Sequence, residues 1–136
     1  MTSTSQNTAV QALIQHAIDA SHKAYIPYSH YPVGAALLAI DGTVYKGCNV
    51  ENASYPVTIC AERTALVKAV SEGQRQFEII AVATRNGGSP CGMCRQMLYE
   101  FAPNLRVVVA DLDGHIHLDD RLSELLPDGF GPSKLE

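Results

Sequence analysis

Apolar positions along the first half of the chain follow first a helical and then a strand pattern. Over residues 7–24 they recur at three- and four-residue intervals, which predicts a helix with its N-cap at Asn7 or Thr8 and its end before Pro27. Residues 33–40 and 43–51 predict two strands, because the Asp41-Gly42 dipeptide between them is typical of a tight hairpin turn.

The second half alternates helical and strand patterns. Residues 60–72 place small apolar side chains on one helix face and are followed by Gly73, a residue typical of helix ends. The nearly continuous apolar run 77–84 predicts a strand that is buried on both faces. Ser89-Pro90 is a favourable N-cap and first residue for a helix that ends near Phe101.

Two short strands, 106–110 and 115–118, and a short helix over 123–125 complete the pattern. The order α-β-β-α-β-α-β-β predicts a mixed sheet with helices on both faces, and parallel pairing within its β-α-β-α-β portion. We expect residues 1–136 to form a single domain, because the length suits one domain and neither a repeat nor a linker is visible.

Composition narrows the class of protein. The chain is 46% hydrophobic and has a net charge of −4, which is typical of a soluble globular protein. It lacks the basic stripe with interleaved aromatic residues that a nucleic-acid binder usually shows. It also lacks an apolar run near the ~20 residues that span a membrane, and a signal-peptide pattern. We therefore expect a cytoplasmic protein that acts on a small neutral molecule, without nucleic-acid or membrane partners.

Three cysteines lie near the starts of two predicted helices, where the helix dipole favours thiolates. Cys60 begins one helix, and Cys91 and Cys94 lie in the first turn of the other. Three sulfur ligands suit zinc and leave its fourth tetrahedral position for water. Glu62 is then placed to act as general acid and base, an arrangement typical of zinc deaminases.

Two other interpretations of these cysteines compete with an open zinc site. The Cys91–Cys94 pair alone is also typical of a thioredoxin-like redox centre, but that leaves Cys60 and Glu62 unexplained. A closed structural zinc site would need Cys48 as its fourth ligand. Strand alternation turns Cys48 away from Asn49 and Glu51, and we interpret it as a small buried hydrophobic residue.

Two arginines directly follow the cysteine segments. Three thiolates leave zinc with a net negative charge, and a cation that donates hydrogen bonds to the sulfurs would offset it. Our hypothesis assigns this role to Arg63, with Arg95 as the second candidate. A surface salt bridge is the alternative.

Five segments together resemble the small homotetrameric, zinc-dependent cytidine deaminases: Tyr28-Ser29, Val33–Leu37, Gly47–Ala53, Cys60–Ala65 and Ser89–Gln96. The resemblance implies a cytidine-deaminase-like three-layer α/β/α fold with a mixed five-stranded sheet. It also implies hydrolytic deamination of cytidine and 2′-deoxycytidine to uridine and 2′-deoxyuridine, with release of ammonia, in pyrimidine salvage. The loop at residues 85–88 departs from the family in being short.

The resemblance implies a role for each matching residue. One zinc ion per subunit would be held by Cys60, Cys91 and Cys94, with Glu62 as the proton shuttle. The remaining roles would be to bind ribose (Asn49, Glu51), to contact the pyrimidine through the backbone (Ala61, Ser89), to wall the pocket (Tyr31), and to reach a neighbouring subunit's site (Phe130). The homotetramer would therefore have its sites at subunit interfaces.

Three further functions remain as alternatives. A deaminase of this fold that acts on an aminoacyl-nucleoside antibiotic is disfavoured because Asn49 and Glu51 suit free ribose hydroxyls. A polynucleotide deaminase is disfavoured by the acidic charge and the lack of a base-stacking platform. A non-catalytic zinc module is disfavoured by Glu62 and the open coordination position. The five histidines match no ligand role, and we expect them to be surface or packing residues.

Overall fold

A computed structural model describes residues 4–135; residues 1–3 and residue 136 of the expected domain lie outside this range. The helices and strands follow the expected order: α1 (Thr4–Ser21), β1 (Gly34–Ala39), β2 (Val44–Cys48), α2 (Ala61–Ser71), β3 (Phe77–Thr84), α3 (Gly92–Phe101), β4 (Arg106–Asp111), β5 (Ile116–Arg121) and α4 (Leu122–Leu125). Short 3-10 turns at Tyr55–Val57 and Pro132–Leu135 complete the described chain.

The five strands form one mixed sheet in the order β2-β1-β3-β4-β5. The expected parallel pairing occurs between β3 and β4, where Val82 lies opposite Val109. It does not occur between β2 and β3, because β1 lies between them and pairs antiparallel with both. β2, β3 and β4 therefore still run in one direction, and their carboxyl ends meet at one edge of the sheet, the usual place for a ligand site in such sheets.

Helices cover both faces of the sheet, so the three-layer α/β/α architecture is confirmed. On one face, α1 packs Ile14 and Ala17 against Ala36, Ala81 and Val108. On the other face, buried residues of α2 and α3 pack against the alternate side chains of the same strands, including Leu37, Ile80 and Val107. Each fully buried leucine or isoleucine in these layers stabilises the fold by about 1.5–3 kcal/mol.

The contact between β2 and α2 requires glycine at position 47. A Cβ atom there would lie 2.5 Å from the backbone N of Ala65 and 2.7 Å from the carbonyl O of Ala61. Both neighbours are backbone atoms, which cannot move aside without shifting the helix. Gly47 thus allows α2 to lie directly on the strand, and this close approach positions the first turn of the helix beside the end of β2.

The largest difference from the predicted boundaries is in α1. It begins at Thr4, so that Asn7 and Thr8 lie inside the helix rather than at its N-cap. It ends at Ser21 rather than near Ala24, because the following chain turns and becomes extended where the N–H of Tyr25 donates to the carbonyl of Asn49. No helix among residues 4–135 is long and apolar enough to cross a membrane.

Candidate metal centre and active site

Two helix N-termini bring the three predicted zinc ligands together. Cys60 is the N-cap of α2 and Cys91 is the N-cap of α3. Their Sγ atoms lie 3.9 Å apart, and Sγ of Cys91 lies 3.4 Å from Sγ of Cys94. A tetrahedral zinc ion with Zn–S bonds near 2.3 Å requires sulfur atoms about 3.8 Å apart. The three sulfurs therefore fit one zinc ion.

The start of α3 differs from the predicted one. Its N-cap is Cys91, not Ser89, and the Cys91 sulfur accepts a hydrogen bond from the backbone N–H of Cys94 at 3.5 Å. Pro90 consequently lies before the helix instead of in its first turn, and the Ser89 hydroxyl accepts from Arg95. A sulfur at the cap position lies at the positive end of the helix dipole, which favours the thiolate that zinc needs.

The thiols of the cysteine cluster differ in how readily they lose their protons. A hydrogen bond from Cys94 lowers the pKa of Cys60 to about 5, against the opposing effect of burial, and Arg63 adds to the lowering. The pKa of Cys94 is raised, first because its thiol is the hydrogen-bond donor to Cys60 and then because it is buried. One sulfur of the cluster is therefore already anionic at neutral pH before a cation arrives.

Arg63 and Arg95 occupy different environments. Nη2 of Arg63 lies 3.5 Å from Sγ of Cys60 and donates to the carbonyl of Thr58 at 3.2 Å. Arg95 instead donates to the carbonyl oxygens of Pro90 and Leu125, at 2.8 and 2.6 Å. The geometry agrees with the sulfur-binding hypothesis for Arg63, whereas Arg95 ties the segment before α3 to α4.

Glu62 lies in the first turn of α2 with only 4% of its surface exposed. Burial raises the pKa of its carboxyl group, and the neighbouring charge of Cys60 raises it further. The side chain faces the same cleft as Cys60 and Cys91. A buried carboxyl group beside a metal site, with its proton affinity increased, is suited to general acid–base chemistry.

A cleft of about 430 Å³ opens over this cluster, within the usual size range of small-molecule sites. Its lining includes eight of the residues named from the sequence: Tyr31, Asn49, Glu51, Cys60, Ala61, Glu62, Ser89 and Cys91. Cys94 is fully buried beneath them. Phe130 does not line the cleft of its own chain: it is 55% exposed, and its carbonyl accepts a hydrogen bond from Gln96 at 2.8 Å.

Asn49 and Glu51 are held in place by the loop that precedes β1. The Asn49 side chain accepts from the N–H of Val33 at 3.0 Å and donates to the carbonyl of Tyr31 at 2.9 Å. Oε1 of Glu51 accepts two backbone N–H groups, and the hydrogen bonds from Ser29 keep the pKa of Glu51 below its usual value. β2 ends before both residues, so the loop and not the strand orients them.

Thr84 belongs to the cleft but was missed from the sequence. It is the last residue of β3, it is 3% exposed, and its hydroxyl accepts the N–H of Gly88 at 3.0 Å. A polar residue at the carboxyl end of an otherwise apolar strand was the available signal. Thr58, Val33, Val82 and Gly88 also line the cleft, and no comparable pattern in the sequence marks them as site residues.

Cys48 lies outside the cysteine cluster. Its sulfur donates to the carbonyl of Lys23 at 3.5 Å, and the residue is partly exposed rather than buried as expected. Among the described residues, the cysteines that come within ligand distance of one another are Cys60, Cys91 and Cys94. The closed four-cysteine site is therefore wrong, and one coordination position stays available on the cleft side.

Comparison with known proteins agrees with this geometry. Residues 7–110 match the model of the cytidine and deoxycytidylate deaminase zinc-binding region. The chain belongs to the cytidine deaminase family. A cytidine deaminase of Sporosarcina psychrophila is 48% identical over 129 residues, 93% of this chain and 94% of that protein. One from Halalkalibacterium halodurans is 51% identical over 123 residues, covering 88% of this chain and 92% of that protein.

Solved cytidine deaminase structures share the fold. The Burkholderia pseudomallei enzyme superposes with a TM-score of 0.84 at 48% identity, over 88% of this chain and 97% of that one. The Mycobacterium tuberculosis enzyme gives a TM-score of 0.80 at 40% identity, over 90% and 97% of the two chains. Membership of the cytidine deaminase family confirms the predicted fold and, together with the three clustered sulfurs, the predicted zinc cofactor.

Proposed function

We propose that the protein catalyses the hydrolytic deamination of cytidine and 2′-deoxycytidine, giving uridine and 2′-deoxyuridine with release of ammonia. The observation that carries this proposal is the meeting, in one cleft, of a three-sulfur zinc site, the buried Glu62, and the two oriented polar side chains Asn49 and Glu51. The cytidine deaminases that resemble the chain along most of its length support the same activity.

The zinc ion would be held by Cys60, Cys91 and Cys94. When bound, zinc supplies a Lewis acid that makes water acidic enough to act as a nucleophile at neutral pH. Arg63 would offset the charge of the three sulfurs through its contact with Cys60. The base of the nucleoside would lie over the first turn of α2 and would contact the backbone of Ala61 and Ser89, which both line the cleft.

Glu62 would carry the protons of the reaction. Its carboxylate accepts a proton from the nucleophilic water and delivers it to the ring nitrogen N3 of the substrate. It then takes the remaining proton from the hydroxyl group now on C4 and delivers it to the exocyclic amino group, so that the bond between C4 and that nitrogen breaks as C4=O forms. One water is consumed and one ammonia is released, and Glu62 ends in its starting state. Its burial keeps bulk water from competing for these protons.

Asn49 and Glu51 would bind the ribose hydroxyls. Each still has capacity for ligand: one amide hydrogen of Asn49 and one carboxylate oxygen of Glu51 take no part in the loop hydrogen bonds described above. Because their partners are backbone groups of the loop, the two side chains are oriented before a substrate arrives. Such preorganisation reduces the entropy lost on binding.

We further propose how the chain is organised into a domain, how it assembles and where it is located. Residues 1–136 would form one catalytic domain, and the chains would assemble as a cytoplasmic homotetramer. Phe130 would reach the site of a neighbouring subunit, which agrees with its exposure and its position away from the cleft of its own chain.

Cytidine turnover by the purified protein, followed by ultraviolet absorbance with and without a chelator, tests the activity. Glu62→Gln should keep its zinc and lose nearly all turnover, because glutamine preserves the shape but cannot carry the proton. Glu78→Gln, which removes an exposed carboxylate from β3, is the matched control and should behave like the unaltered protein. Substantial cytidine turnover by Glu62→Gln would refute the shuttle role.

A further inference from the structure

Tyr31 joins the two walls of the cleft. Its carbonyl oxygen accepts a hydrogen bond from Nδ2 of Asn49, in the wall that follows β2. Its hydroxyl donates to Oδ1 of Asn86, in the short turn of residues 85–88 between β3 and α3. One residue therefore connects two segments that are 37 positions apart in sequence and that both contribute residues to the lining of the cleft. We refer to the hydrogen bond between the Tyr31 hydroxyl and the Asn86 side chain as the clasp.

The turn that carries Asn86 has little freedom to move. The N–H of Gly88 donates to the Thr84 hydroxyl at 3.0 Å, which closes the turn onto the end of β3. Gly87 has a φ of +71°, a left-handed conformation that favours glycine, and it lies against the ring of His117. A Cβ atom on Gly87 would be 2.4 Å from Cγ of that ring. The turn is thus fixed on its outer side by β5 and on its inner side by β3.

The Tyr31 ring is held on its face as well as at its hydroxyl. The guanidinium carbon of Arg85 lies 5.1 Å from the ring centroid, within the range of a cation–π contact. Tyr31 also lines the cleft, together with Gly88 and Ser89 of the facing segment. A side chain held both at its hydroxyl and on its ring face keeps one orientation, and the wall it forms is correspondingly well defined.

We propose that Asn86 is a positioning residue for the nucleoside: through the clasp it holds Tyr31 across the cleft and sets the separation between the Asn49 wall and the Ser89 wall. This inference rests on the proposed function, because it takes the cleft as the nucleoside site. Asn86 acts through Tyr31 and is not assigned a contact with the reacting atoms. The clasp is formed by protein groups alone, so it can order the wall in advance and lower the cost of substrate binding.

A purely structural role for Asn86 makes a different prediction. If Asn86 served only to stabilise the turn, its removal would lower the unfolding temperature, and the effect would not depend on the hydroxyl of Tyr31. If it acts through the clasp, removing either partner has the same consequence, and removing both adds nothing. Tyr31→Phe, Asn86→Ala and the double variant separate the two roles, because interacting residues show non-additive effects in such a cycle.

Steady-state kinetics with cytidine give the first measurement. Each single variant should raise KM about twofold to tenfold, the range that corresponds to one net hydrogen bond, with a smaller change in kcat. The double variant should match the more affected single variant. Asn104→Ala, in the exposed loop before β4, is the control and should leave KM unchanged. An unchanged KM in either single variant, or effects that multiply in the double variant, would overturn the proposal.

Backbone hydrogen exchange gives a second measurement that needs no turnover. Loss of the clasp should speed exchange at residues 85–89 about twofold to tenfold in Tyr31→Phe. The increase should be at least as large in Asn86→Ala, which also removes the contact of Oδ1 with the Thr84 hydroxyl at 3.5 Å. Tyr31→Phe is decisive, because it changes nothing within the turn itself. If the unaltered protein fails to deaminate cytidine while exchange responds as expected, the proposed function fails and the clasp stands. If Tyr31→Phe leaves the exchange rates of the turn unchanged, the proposed role of the clasp is wrong, whether or not the protein deaminates cytidine.

Discussion

The guanidinium of Arg63 lies against the sulfur of Cys60, with Nη2 at 3.5 Å from Sγ. Its Nε atom is buried and has no hydrogen-bond partner among the described residues. A buried cation requires a compensating anion, and the thiolate cluster supplies it. Arg63 and Cys60 thus form one electrostatic unit, and in the proposed zinc site the arginine would offset the excess negative charge that three thiolates bring to a divalent ion.

Arg63→Gln should weaken this unit. Residues that donate to metal ligands typically change metal affinity or activity by about tenfold to a hundredfold when replaced. We expect a loss in that range in zinc affinity, in cytidine turnover, or in both, because glutamine keeps a donor but removes the charge. Competition with a chromogenic chelator gives the affinity, and ultraviolet absorbance gives the turnover.

Arg121→Gln is the control for Arg63. It removes an exposed arginine from β5, where the side chain donates to the carbonyl of Asn104 far from the cysteines. It should retain both zinc affinity and turnover. If Arg63→Gln also left both zinc affinity and cytidine turnover unchanged, the contact with Cys60 would carry no function.

Serine substitutions should separate the three clustered cysteines from the fourth. Serine is a poor zinc ligand, so replacing Cys60, Cys91 or Cys94 should abolish stoichiometric zinc and lower the unfolding temperature, because metal binding stabilises the folded state. Cys48→Ser should keep one zinc per chain, since its sulfur contacts a backbone carbonyl outside the cluster. Metal analysis by mass spectrometry measures the ratio. Zinc retained by Cys94→Ser, or lost from Cys48→Ser, would contradict the ligand set.

The sequence pattern of one segment was sufficient to predict those helices and strands whose limits depend on that segment alone. The nearly continuous apolar run at Phe77–Thr84 identified β3 with both of its boundaries, because six of its eight residues are apolar and polar residues flank it on both sides. Cys60 and Cys91 were placed at helix starts, where each residue is indeed the N-cap.

Features that depend on contacts between distant segments were not predictable in this way. The insertion of β1 between β2 and β3 is decided by long-range pairing, such as that of Ala35 with Val82, and no local pattern encodes it. The N-cap of α3 was assigned to Ser89 by residue preference, but the cysteine cluster displaces the helix start to Cys91. Thr84 lines the cleft and Asn86 reaches the Tyr31 hydroxyl because the 85–88 turn folds back over the end of β3.

Mixing two inactive variants tests whether Phe130 completes a neighbouring site. In the proposed tetramer, a Phe130→Ala chain supplies an intact Glu62, and a Glu62→Gln chain supplies an intact Phe130. Unfolding the two together and refolding them should create some sites with both residues, so that activity returns above that of either variant alone. Refolding each variant separately controls for recovery. If the mixture only averages the two separate activities, Phe130 does not act across an interface.

Asp111 connects the end of β4 with two histidines of the following strand segment. Its Oδ2 lies 2.9 Å from Nε2 of His117 and 3.5 Å from Nδ1 of His115, while Oδ1 accepts the backbone N–H groups of Asp113 and His115. The hydrogen bond with His117 is the main cause that lowers the pKa of Asp111 to about 2, against an ordinary value of 3.8. The folded state therefore favours the carboxylate form of Asp111.

A carboxyl group whose pKa is lower in the folded than in the unfolded state stabilises the fold above its unfolded pKa, and this contribution is lost as the pH falls towards the folded value. For Asp111 the loss should occur between about pH 4 and pH 2. Asp111→Asn should thus lower the free energy of unfolding in urea at pH 6, and the difference from the unaltered protein should shrink below pH 4. Taking the difference cancels the loss of zinc in acid, which both proteins share.

Asp113→Asn lies on the same turn and serves as the control, because its backbone N–H, not its carboxylate, binds Asp111. A difference between Asp111→Asn and the unaltered protein that stays constant from pH 6 to pH 2 would mean that the charge of Asp111 does not contribute to folding.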